Sequence, residues 1–484
     1  MKRNGLILVI LIIFSQSVLS QGNQDDQGNE KADYFMKVRQ IESYLNSSNT
    51  VVDSAFLKRY YRWRYFWDTR VGPDGDQEEY IRVWHEIHDN KKMSLNEKSS
   101  GLSWEFIGPF DDQIINKDNW IGRVSCLAAD PNNQNIIYAG ANTGGLWKTT
   151  NSLDAEPHWE CLTDDYAGMG VTDVLIDPNN SDVIYIVTGI HTNTRMHQLG
   201  DFKGDYSFGA YKSTDGGLTW NTLLGLDPED LLYLKKIKYD PDNSNIMYIL
   251  SSNAVYKSTN GGISWNSSSV PLLNNGSLNE IVINPLNTSE IYLSGDKGNI
   301  FKSTNGGVTW DSIPDATLGN PYNSVIKIAW HPIDSCMYAL YWDGSGYGGE
   351  LKKSYNGGSS WEYIRYIDYV AIWVNALAIA PNGIIYAGGV YVYKLDEQGN
   401  YNFQSDMHKD IRDVLFLYGA NDTIEYMATD GGVVRNTTGE DTAWVSCNGD
   451  LSINQFYDIG ITEKDPMILL AGEQIEVKQL IINH

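Results

Sequence analysis

Two segments of this 484-residue chain, residues 191–208 and 341–350, combine carboxylates with aromatic and imidazole side chains. Two carboxylates that flank a glycosidic bond can hydrolyse it, one as general acid and the other as nucleophile or base. Flat aromatic rings offer an apolar surface on which the C–H face of a sugar can lie. The catalytic candidates are Asp201, Asp205, Asp343 and Glu350, and the ligand-binding candidates are His191, His197, Tyr206, Trp342 and Tyr347. Spacing alone does not fix which two carboxylates meet, so binding and hydrolysis both stay open.

The elements that must position these segments are marked by a repeated phrase, Ser-Thr-(Asp/Asn)-Gly-Gly-x-(Thr/Ser)-Trp. Four copies begin at Ser213, Ser258, Ser303 and Ser354, the last with Tyr355 in place of Thr, at intervals of 45, 45 and 51 residues. Asn or Asp followed by Gly supplies the positive φ angles of a tight turn, and the hydroxyls bond nearby amides. A turn repeated at this period predicts one four-stranded β blade per repeat.

The side chains expected to hold these turns are structural rather than catalytic. They are Ser213, Asp215, Gly217 and Trp220, then Ser258, Asn260, Gly262 and Trp265, then Ser303, Asn305, Gly307 and Trp310, and finally Asn356, Gly358 and Trp361.

A second marker, a Pro turn ahead of an apolar strand, runs in step with the first. Asp130-Pro131, Asp177-Pro178 and Asp240-Pro241 are examples, each followed by a β-rich run. The two markers predict an all-β fold, a β-propeller of at least seven four-stranded blades after a short α-helical N-terminal region. The blades are expected to start near Gly122, Gly170, Leu232, Leu278, Val325, Ala376 and Ile411.

Antiparallel order assigns the connections to two faces. Turns that join strands one to two and three to four share one face, here called the lower face, and include the Pro turns and the Gly-Gly turns. Connections from strand two to three and from blade to blade share the upper face. Both candidate segments are predicted to be long upper-face connections, as are the blade connections at 164–166 and 366–373. Long loops on a rigid scaffold usually carry function.

The repeated phrase resembles the Asp-box, or BNR-repeat, β-propellers, whose consensus is Ser-x-Asp-x-Gly-x-Thr-Trp, over roughly residues 103–460. This superfamily includes sialidases, two-propeller enzymes that cut xyloglucan, sortilin-type receptors and photosystem assembly factors, so the resemblance implies a fold more than a function. The opening Trp104 to Pro109, with Gly144-Gly145-Leu146-Trp147, looks most like large secreted Bacteroidetes-type proteins with sortilin-like propellers.

Comparison with the enzymes of this superfamily argues against catalysis. Sialidases carry an Arg-Ile-Pro motif, which does not occur here. The xyloglucan-cutting enzymes carry an Asp just before the first Gly-Gly, where this chain has Asn142. An amide cannot act as a carboxylate base. Those enzymes take their second carboxylate from a second propeller, for which this sequence shows no counterpart.

The first hundred residues differ in composition from the repeats. Residues 1–20 have a basic start, an apolar centre and small residues before Gln21, which predicts a signal peptide cleaved near Ser20 and a secreted or cell-surface protein. Residues 21–100 form the predicted helical region, with helices over 34–41, 55–70 and 77–89. The basic and aromatic run 58–67 is interpreted as helix packing. His85-Glu86-Ile87-His88 lacks the spacing of a zinc-protease motif.

Composition limits the partners. A net charge of −25 argues against nucleic acid, whose phosphates need a basic face. No segment after the signal peptide reaches the ~18 apolar residues of a transmembrane helix. The four cysteines, Cys126, Cys161, Cys336 and Cys447, are too sparse for a disulfide scaffold and have no zinc spacing. We expect buried thiols or one bridge, and no metal or cofactor.

The predicted domains are the signal peptide 1–20, the helical region 21–100, the propeller 101–453, and 454–484 as the start of a further blade that is cut short. A C-terminal region missing from the chain would leave cell-surface attachment open. We predict a secreted or surface-displayed propeller that binds carbohydrate or peptide on its upper face. The alternatives are a glycoside hydrolase acting on plant or host polysaccharide and a sortilin-like protein-interaction scaffold, which an enclosed peptide-sized tunnel would distinguish.

Overall fold

The computed structural model describes most of the repeat region and a few parts of the N-terminal region. The described residues are 34–45, single positions between 60 and 83, 121–166, 169–189, 207–223, 234–272, 276–295, 300–313, 326–331, 333, 335–342, 348–370, 376–395, 400–404, 407–418, 423–453 and, as backbone, 456–461, 468–473 and 477–481.

The chain divides into two compact units, and the first comprises Met1–Ser103 with Thr192–Gly204. In it, helix α1 (Tyr34–Leu45) confirms the first predicted helix. Tyr34 is fully buried, and its hydroxyl donates a 2.6 Å hydrogen bond to Oδ1 of Asp68. Tyr60 and Trp67 are also buried, whereas Tyr61 is 56% exposed, so two of the described rings in the basic and aromatic run pack as interpreted.

The second unit, Trp104–His191 with Asp205–His484, carries seven four-stranded antiparallel blades, which confirms the predicted fold class. Every blade uses four consecutive strands, and each first strand begins within two residues of its predicted start. The blades are β1 (Val124–Asp130), β2 (Asn133–Ala141), β3 (Gly145–Thr149), β4 (Trp159–Cys161); β5 (Val171–Asp177), β6 (Asn180–Thr188), β7 (Ala210–Ser213), β8 (Asn221–Thr222); β9 (Leu234–Asp240), β10 (Asn243–Ser251), β11 (Ala254–Ser258), β12 (Asn266–Ser269); β13 (Leu278–Ile283), β14 (Ile291–Gly295), β15 (Ile300–Ser303), β16 (Asp311–Ser312); β17 (Ile326–His331), β18 (Cys336–Trp342), β19 (Gly348–Ser354), β20 (Glu362–Asp368); β21 (Ala376–Ile379), β22 (Ile385–Gly388), β23 (Val392–Leu395), β24 (Tyr401–Phe403); and β25 (Ile411–Tyr418), β26 (Thr423–Thr429), β27 (Gly432–Asn436), β28 (Val445–Ser446).

A three-stranded antiparallel sheet follows the seventh blade: β29 (Phe456–Ile461), β30 (Ile468–Glu473) and β31 (Val477–Ile481). The ring of blades does not include this sheet, because β1 of blade 1 contacts β25 of blade 7 directly. Among the described residues, no helix combines the length and the apolar composition that a membrane crossing needs.

The core lies between neighbouring blades, where second and third strands bury apolar side chains. At the closure of the ring, Ile137, Ala139 and Trp159 of blade 1 pack in one cluster with Tyr426 and Val433 of blade 7. Trp159 adds a hydrogen bond from Nε1 to the carbonyl of Cys447 at 3.0 Å. Side-chain packing and cross-blade hydrogen bonds therefore close the ring, without a sheet shared between the first and last blades.

Hydrogen bonds confirm that the Pro turns and the Gly-Gly turns share the lower face. In blade 2, the amide of Gly216 in the Gly-Gly turn donates to the carbonyl of Asp182, beside the Pro turn, at 2.9 Å. The same bond recurs from Gly261 to Asn245 in blade 3. Both blades therefore tie their two lower-face turns together.

The Gly-Gly turns have the internal chemistry expected of them. Gly216 and Gly217 have φ angles of 74° and 98°, which residues with a Cβ rarely adopt. The hydroxyl of Ser213 donates to Asp215 Oδ1 at 2.8 Å and accepts from the Gly217 amide at 2.9 Å. Three further turns repeat this pattern through the pairs Ser258 and Asn260, Ser303 and Asn305, and Ser354 and Asn356.

Candidate functional site

Most of the predicted site residues lie outside the described part of the chain. These are His191, His197, Asp201, Asp205 and Tyr206 in blade 2, and Asp343 and Tyr347 in blade 5. Their roles stay predictions. The structure places only Trp342 and Glu350 of that set.

The connection expected over 341–350 in blade 5 is shorter than predicted, because β18 runs through Trp342 and β19 begins at Gly348. Trp342 pairs with Gly349 and is 5% exposed within an apolar cluster. Its ring is therefore part of the core and offers no stacking face. Glu350 lies on β19, where it accepts a 2.6 Å bond from the Tyr341 hydroxyl and pairs with Lys352.

Glycine explains this difference. A Cβ on Gly348 would lie 2.0 Å from the hydroxyl oxygen of Tyr366, and one on Gly349 would lie 2.0 Å from the Tyr341 carbonyl oxygen. Gly348 and Gly349 therefore belong to a strand in which neighbouring groups approach the backbone closely.

A ring of charged side chains from five blades, here called the axial belt, lies on the first strands: Asp173, Lys236, Glu280, Lys327 and Asp413. Lys236 Nζ lies 3.9 Å from Asp173 Oδ1, and Lys327 Nζ donates to Glu280 Oε2 at 2.9 Å. Asp173 and Asp413 also accept amide bonds from Ile237 and Leu127 of the next blade. The belt therefore joins adjacent blades around the axis.

Charges in the belt balance one another. Burial alone would lower the pKa of Lys236, but Asp173, Glu280 and Asp413 outweigh it and hold that pKa above its ordinary value. Burial likewise works against ionised Glu280, yet Lys327 and Lys236 bring its pKa down to about 2. For Asp413 the effect of burial is larger than that of Lys236 and the Leu127 amide, so its pKa is raised. Lys236, interacting with carboxylates of blades 2, 4 and 7, is the central cation of the belt.

A second charged group joins blade 1 to blade 7. Arg123 precedes β1, Arg412 lies near the start of β25, and each donates through Nε and Nη2 to the two oxygens of Asp430 at 2.6–2.9 Å. Although burial pushes the pKa of Asp430 upward, the two guanidiniums outweigh it and hold it at about 2. Both oxygens of this carboxylate are committed to the closure of the ring.

Close to this group, three aromatic residues form an upper-face surface, here called the aromatic strip: Tyr369, Tyr391 and Phe403. Ring centroids of Tyr369 and Tyr391 are 4.8 Å apart, and those of Tyr391 and Phe403 are 5.3 Å apart, both edge to face. Tyr369 is 46% exposed and Phe403 is 44% exposed. Large rings this exposed, held against each other on the loop-bearing face, offer an apolar surface on which a flat ligand face can lie.

The backbone around the strip is strained. Tyr369 and Asp410 have φ angles of 61° and 66°, a conformation that side chains disfavour. Both hold the same turn, because the Val390 amide donates to the Tyr369 carbonyl at 2.9 Å and the Asp410 amide donates to the Val390 carbonyl at 3.0 Å. Such strain costs roughly 1–3 kcal/mol per residue and clusters at functional sites. Here it fixes the Tyr391 ring between its neighbours.

A small cavity of about 120 Å³ opens beside the strip. Its walls are Val390, Tyr391, Val392, Phe403, Gln404, Met407, His408 and Ile411. Gln404 is engaged elsewhere, accepting from Trp444 Nε1 and donating to Asp441. Burial lowers the pKa of His408, whose Nδ1 donates to the Lys409 carbonyl, so the imidazole is neutral at pH 7. The cavity is therefore largely apolar and uncharged.

Sequence reasoning missed most of this site. The blade connection at 366–373, which contains Tyr369, was predicted to lie on the upper face, but Tyr391 in another connection and Phe403 at the end of β24 have no marker of their own. Their convergence depends on the turn at 389–391, which tertiary hydrogen bonds hold in place.

Within the described ranges, no group of three or more His, Cys, Asp or Glu side chains is arranged to hold a metal ion. The four cysteines are thiols: Cys126, Cys336 and Cys447 are buried and Cys161 is half-buried. Burial raises the pKa of Cys161 and Cys447 to about 11, so these two are unreactive at neutral pH.

The propeller fold of this chain is similar to that of solved glycoside hydrolase structures. The structure of an ancestral GH74 enzyme matches 79% of this chain and 55% of its own, with TM-score 0.55 and 17% identity. The GH74 xyloglucanase from Xanthomonas campestris gives TM-score 0.53 and 15% identity over 76% of this chain and 59% of its own. At these identities the likeness establishes a shared propeller fold.

Sequence similarity to known proteins covers a smaller part of this chain than the structural similarity does. A xyloglucanase of Hypocrea jecorina (strain QM6a) is 30% identical over 139 residues, which are 26% of this chain and 15% of that protein. Xyloglucanase Xgh74A of Acetivibrio thermocellus is 28% identical over 126 residues, 24% of this chain and 14% of that enzyme. The chain thus matches about one seventh of these relatives' length. No family model matches it.

Proposed function

We propose that this protein is a secreted or surface-displayed glycan-binding propeller whose ligand lies across the aromatic strip. The observation that carries this proposal is the exposed, strained Tyr369 held edge to face against Tyr391, which in turn packs edge to face against exposed Phe403. Exposed rings fixed by the backbone bind a sugar face with little loss of side-chain entropy.

The size of the cavity supports an extended ligand. Pockets that enclose a drug-sized molecule measure roughly 300–1,000 Å³, and this one measures about 120 Å³. It takes a single substituent, so the rest of the ligand must lie on the surface. A polymer such as a glycan chain meets this requirement.

Binding to polysaccharides in affinity gel electrophoresis tests the proposal, with xyloglucan and mucin glycans among the ligands. The double variant Tyr369→Ala with Phe403→Ala should weaken binding roughly tenfold or more, since each aromatic contact contributes about 0.5–1.5 kcal/mol. Tyr355→Ala is the matched control, because Tyr355 is 56% exposed beside a lower-face turn. Equal retardation of both variants and the wild type would refute the strip as the binding surface.

Hydrolysis of a polysaccharide is the second candidate, favoured by the similarity to xyloglucanases. Burial raises the pKa of Asp410, which suits a general acid. Two observations weigh against it: nearby Asp430 is committed to two arginines, and Asn142 is buried. New reducing ends that disappear in Asp410→Asn, Asp343→Asn or Asp201→Asn would establish hydrolysis and identify a carboxylate.

A third candidate, a sortilin-like scaffold that encloses a peptide, fits the structure less well. The axial belt places half-buried Lys236 and its carboxylate partners across the centre of the ring. A peptide threaded along the axis would have to displace these ion pairs, at a cost of several kcal/mol.

A further inference from the structure

The strip has a cation of its own. Lys409 is exposed, and its Nζ lies 5.2 Å from the centroid of the Tyr391 ring. A hydrogen bond to the Tyr391 hydroxyl raises the pKa of Lys409, so the ammonium is charged at neutral pH. An anionic group on a ligand that covers Tyr391 would therefore meet this ammonium directly.

The described charges around the strip are close to balanced. Lys409, Arg412 and Arg123 carry three positive charges, Asp368, Asp410 and Asp430 carry three negative charges at most, and His408 is neutral. The chain as a whole has a net charge of −25. A polyanion is therefore repelled less at the strip than over the rest of this protein, which favours binding there over binding elsewhere.

The cavity sets a second requirement. Val390, Val392, Met407 and Ile411 offer no hydrogen bonds, so a sugar hydroxyl placed among them would lose its water without replacement. An apolar substituent has no such cost. The methyl group of an acetamide fits, because its polar atoms can stay at the mouth of the cavity while the methyl enters.

We infer that the ligand is an acidic, N-acetylated glycan, in which a uronate carboxylate contacts Lys409 while a neighbouring N-acetyl methyl group enters the cavity. This inference rests on the proposed glycan-binding function and names its ligand class.

Four oligosaccharides of equal length separate the two features. A hyaluronan hexasaccharide carries both carboxylates and acetamides, chitohexaose carries only acetamides, hexagalacturonate carries only carboxylates, and a xyloglucan oligosaccharide carries neither. Isothermal titration at low salt should rank hyaluronan tightest. Its advantage over chitohexaose should fall as salt rises, since exposed charge pairs are screened over about 10 Å at 0.1 M.

Two variants assign the features to residues. Lys409→Gln should weaken hyaluronan binding about two- to fivefold, as expected for an exposed ion pair, and leave chitohexaose unchanged. Val390→Phe should fill the cavity and weaken both acetylated ligands but not hexagalacturonate. Lys353→Gln is the matched control, because Lys353 lies 4.9 Å over Tyr355 beside a lower-face turn.

The possible outcomes distinguish failure of the inferred ligand class from failure of the glycan-binding function. Equal binding of all four oligosaccharides would overturn the acidic, N-acetylated ligand and leave glycan binding intact. Loss of chitohexaose binding in Lys409→Gln would also overturn it, because no carboxylate is present. Binding of none of the four, with xyloglucan and mucin polymers also inactive, would overturn the glycan-binding function itself.

Discussion

Arg123 and Asp430 stand 307 positions apart in the sequence, yet Nε of Arg123 donates to Oδ1 of Asp430 at 2.8 Å. Arg412 of blade 7 donates two hydrogen bonds to the same carboxylate, so the side chain of Asp430 joins the two ends of the ring. The closure of the propeller therefore depends on a contact that no local sequence pattern predicts.

Replacing Asp430 by Asn should open this closure. The variant leaves two largely buried guanidiniums without their shared charge, a change that typically costs about 3–5 kcal/mol. Chemical denaturation at pH 7 measures the loss. Asp242→Asn, at an exposed carboxylate in a Pro turn of blade 3, should change stability little. A similar small change in both variants would contradict the assignment.

The same contact should be sensitive to acid. Asp430 has a pKa of about 2 in the folded protein and an ordinary value of 3.8, so its stabilisation is complete above about pH 4 and is lost as pH falls towards 2. The stability difference between the wild type and Asp430→Asn should therefore narrow between pH 4 and pH 2. A difference that is constant over this window would show that the charge of Asp430 is unimportant.

Lys236→Met should yield a protein whose stability increases as the pH falls from 7 to 5, because of the carboxylates in the axial belt. Without the ammonium, Asp173, Glu280 and Asp413 repel one another, and the variant should lose about 3–5 kcal/mol at pH 7. Their pKa values then rise above those of the unfolded chain, so the variant should gain stability from pH 7 to pH 5 as they take up protons. Thermal denaturation at both pH values tests this, with Lys409→Met, at an exposed lysine outside the belt, as the control. A loss independent of pH would point to packing alone.

Gly348→Ala should be destabilising by about 1–3 kcal/mol, because the new methyl group would overlap the Tyr366 ring. Tyr366 is 41% exposed, so Tyr366→Ala alone should cost little. The double variant should recover most of the stability lost in Gly348→Ala. Additive losses in this double-mutant cycle would show that the two residues do not interact.

Asp215→Asn should leave the free energy of unfolding nearly unchanged, whereas Asp215→Ala should lower it by about 1–2 kcal/mol because the turn hydrogen bonds are lost. Asn260 shows why: its Oδ1 accepts the Ser264 amide as Asp215 accepts that of Thr219, and its Nδ2 donates to the Ser264 hydroxyl. Denaturation curves of the two variants compare them. Equal losses would mean that the carboxylate itself is required.

The sequence predicted the parts of this fold that local chemistry dictates. Gly216 and Gly217 need positive φ, Pro131 fixes a turn, and their period located every blade within two residues. It misjudged Trp342, because a glycine at a close backbone contact looks the same in sequence as a glycine in a loop.

The candidate site was harder to predict than the fold. Tyr369 and Tyr391 come from two separate connections and Phe403 from the end of β24, and two strained residues, Tyr369 and Asp410, hold the turn that leads to Tyr391. The axial belt likewise draws single residues from five blades. Both depend on the curvature of the ring, which brings together positions that share no pattern along the chain.

Because each blade is made from four consecutive strands, the boundary between blades 1 and 7 is the one junction in the ring that no neighbouring segment of chain bridges. Every other pair of adjacent blades stays tethered when its contacts break, whereas these two can separate freely. Amide protons of β1, β2 and β26 should therefore exchange with solvent sooner than those of β10 and β14 on the far side. The contacts between blades 1 and 7 therefore determine how strongly the ring resists opening.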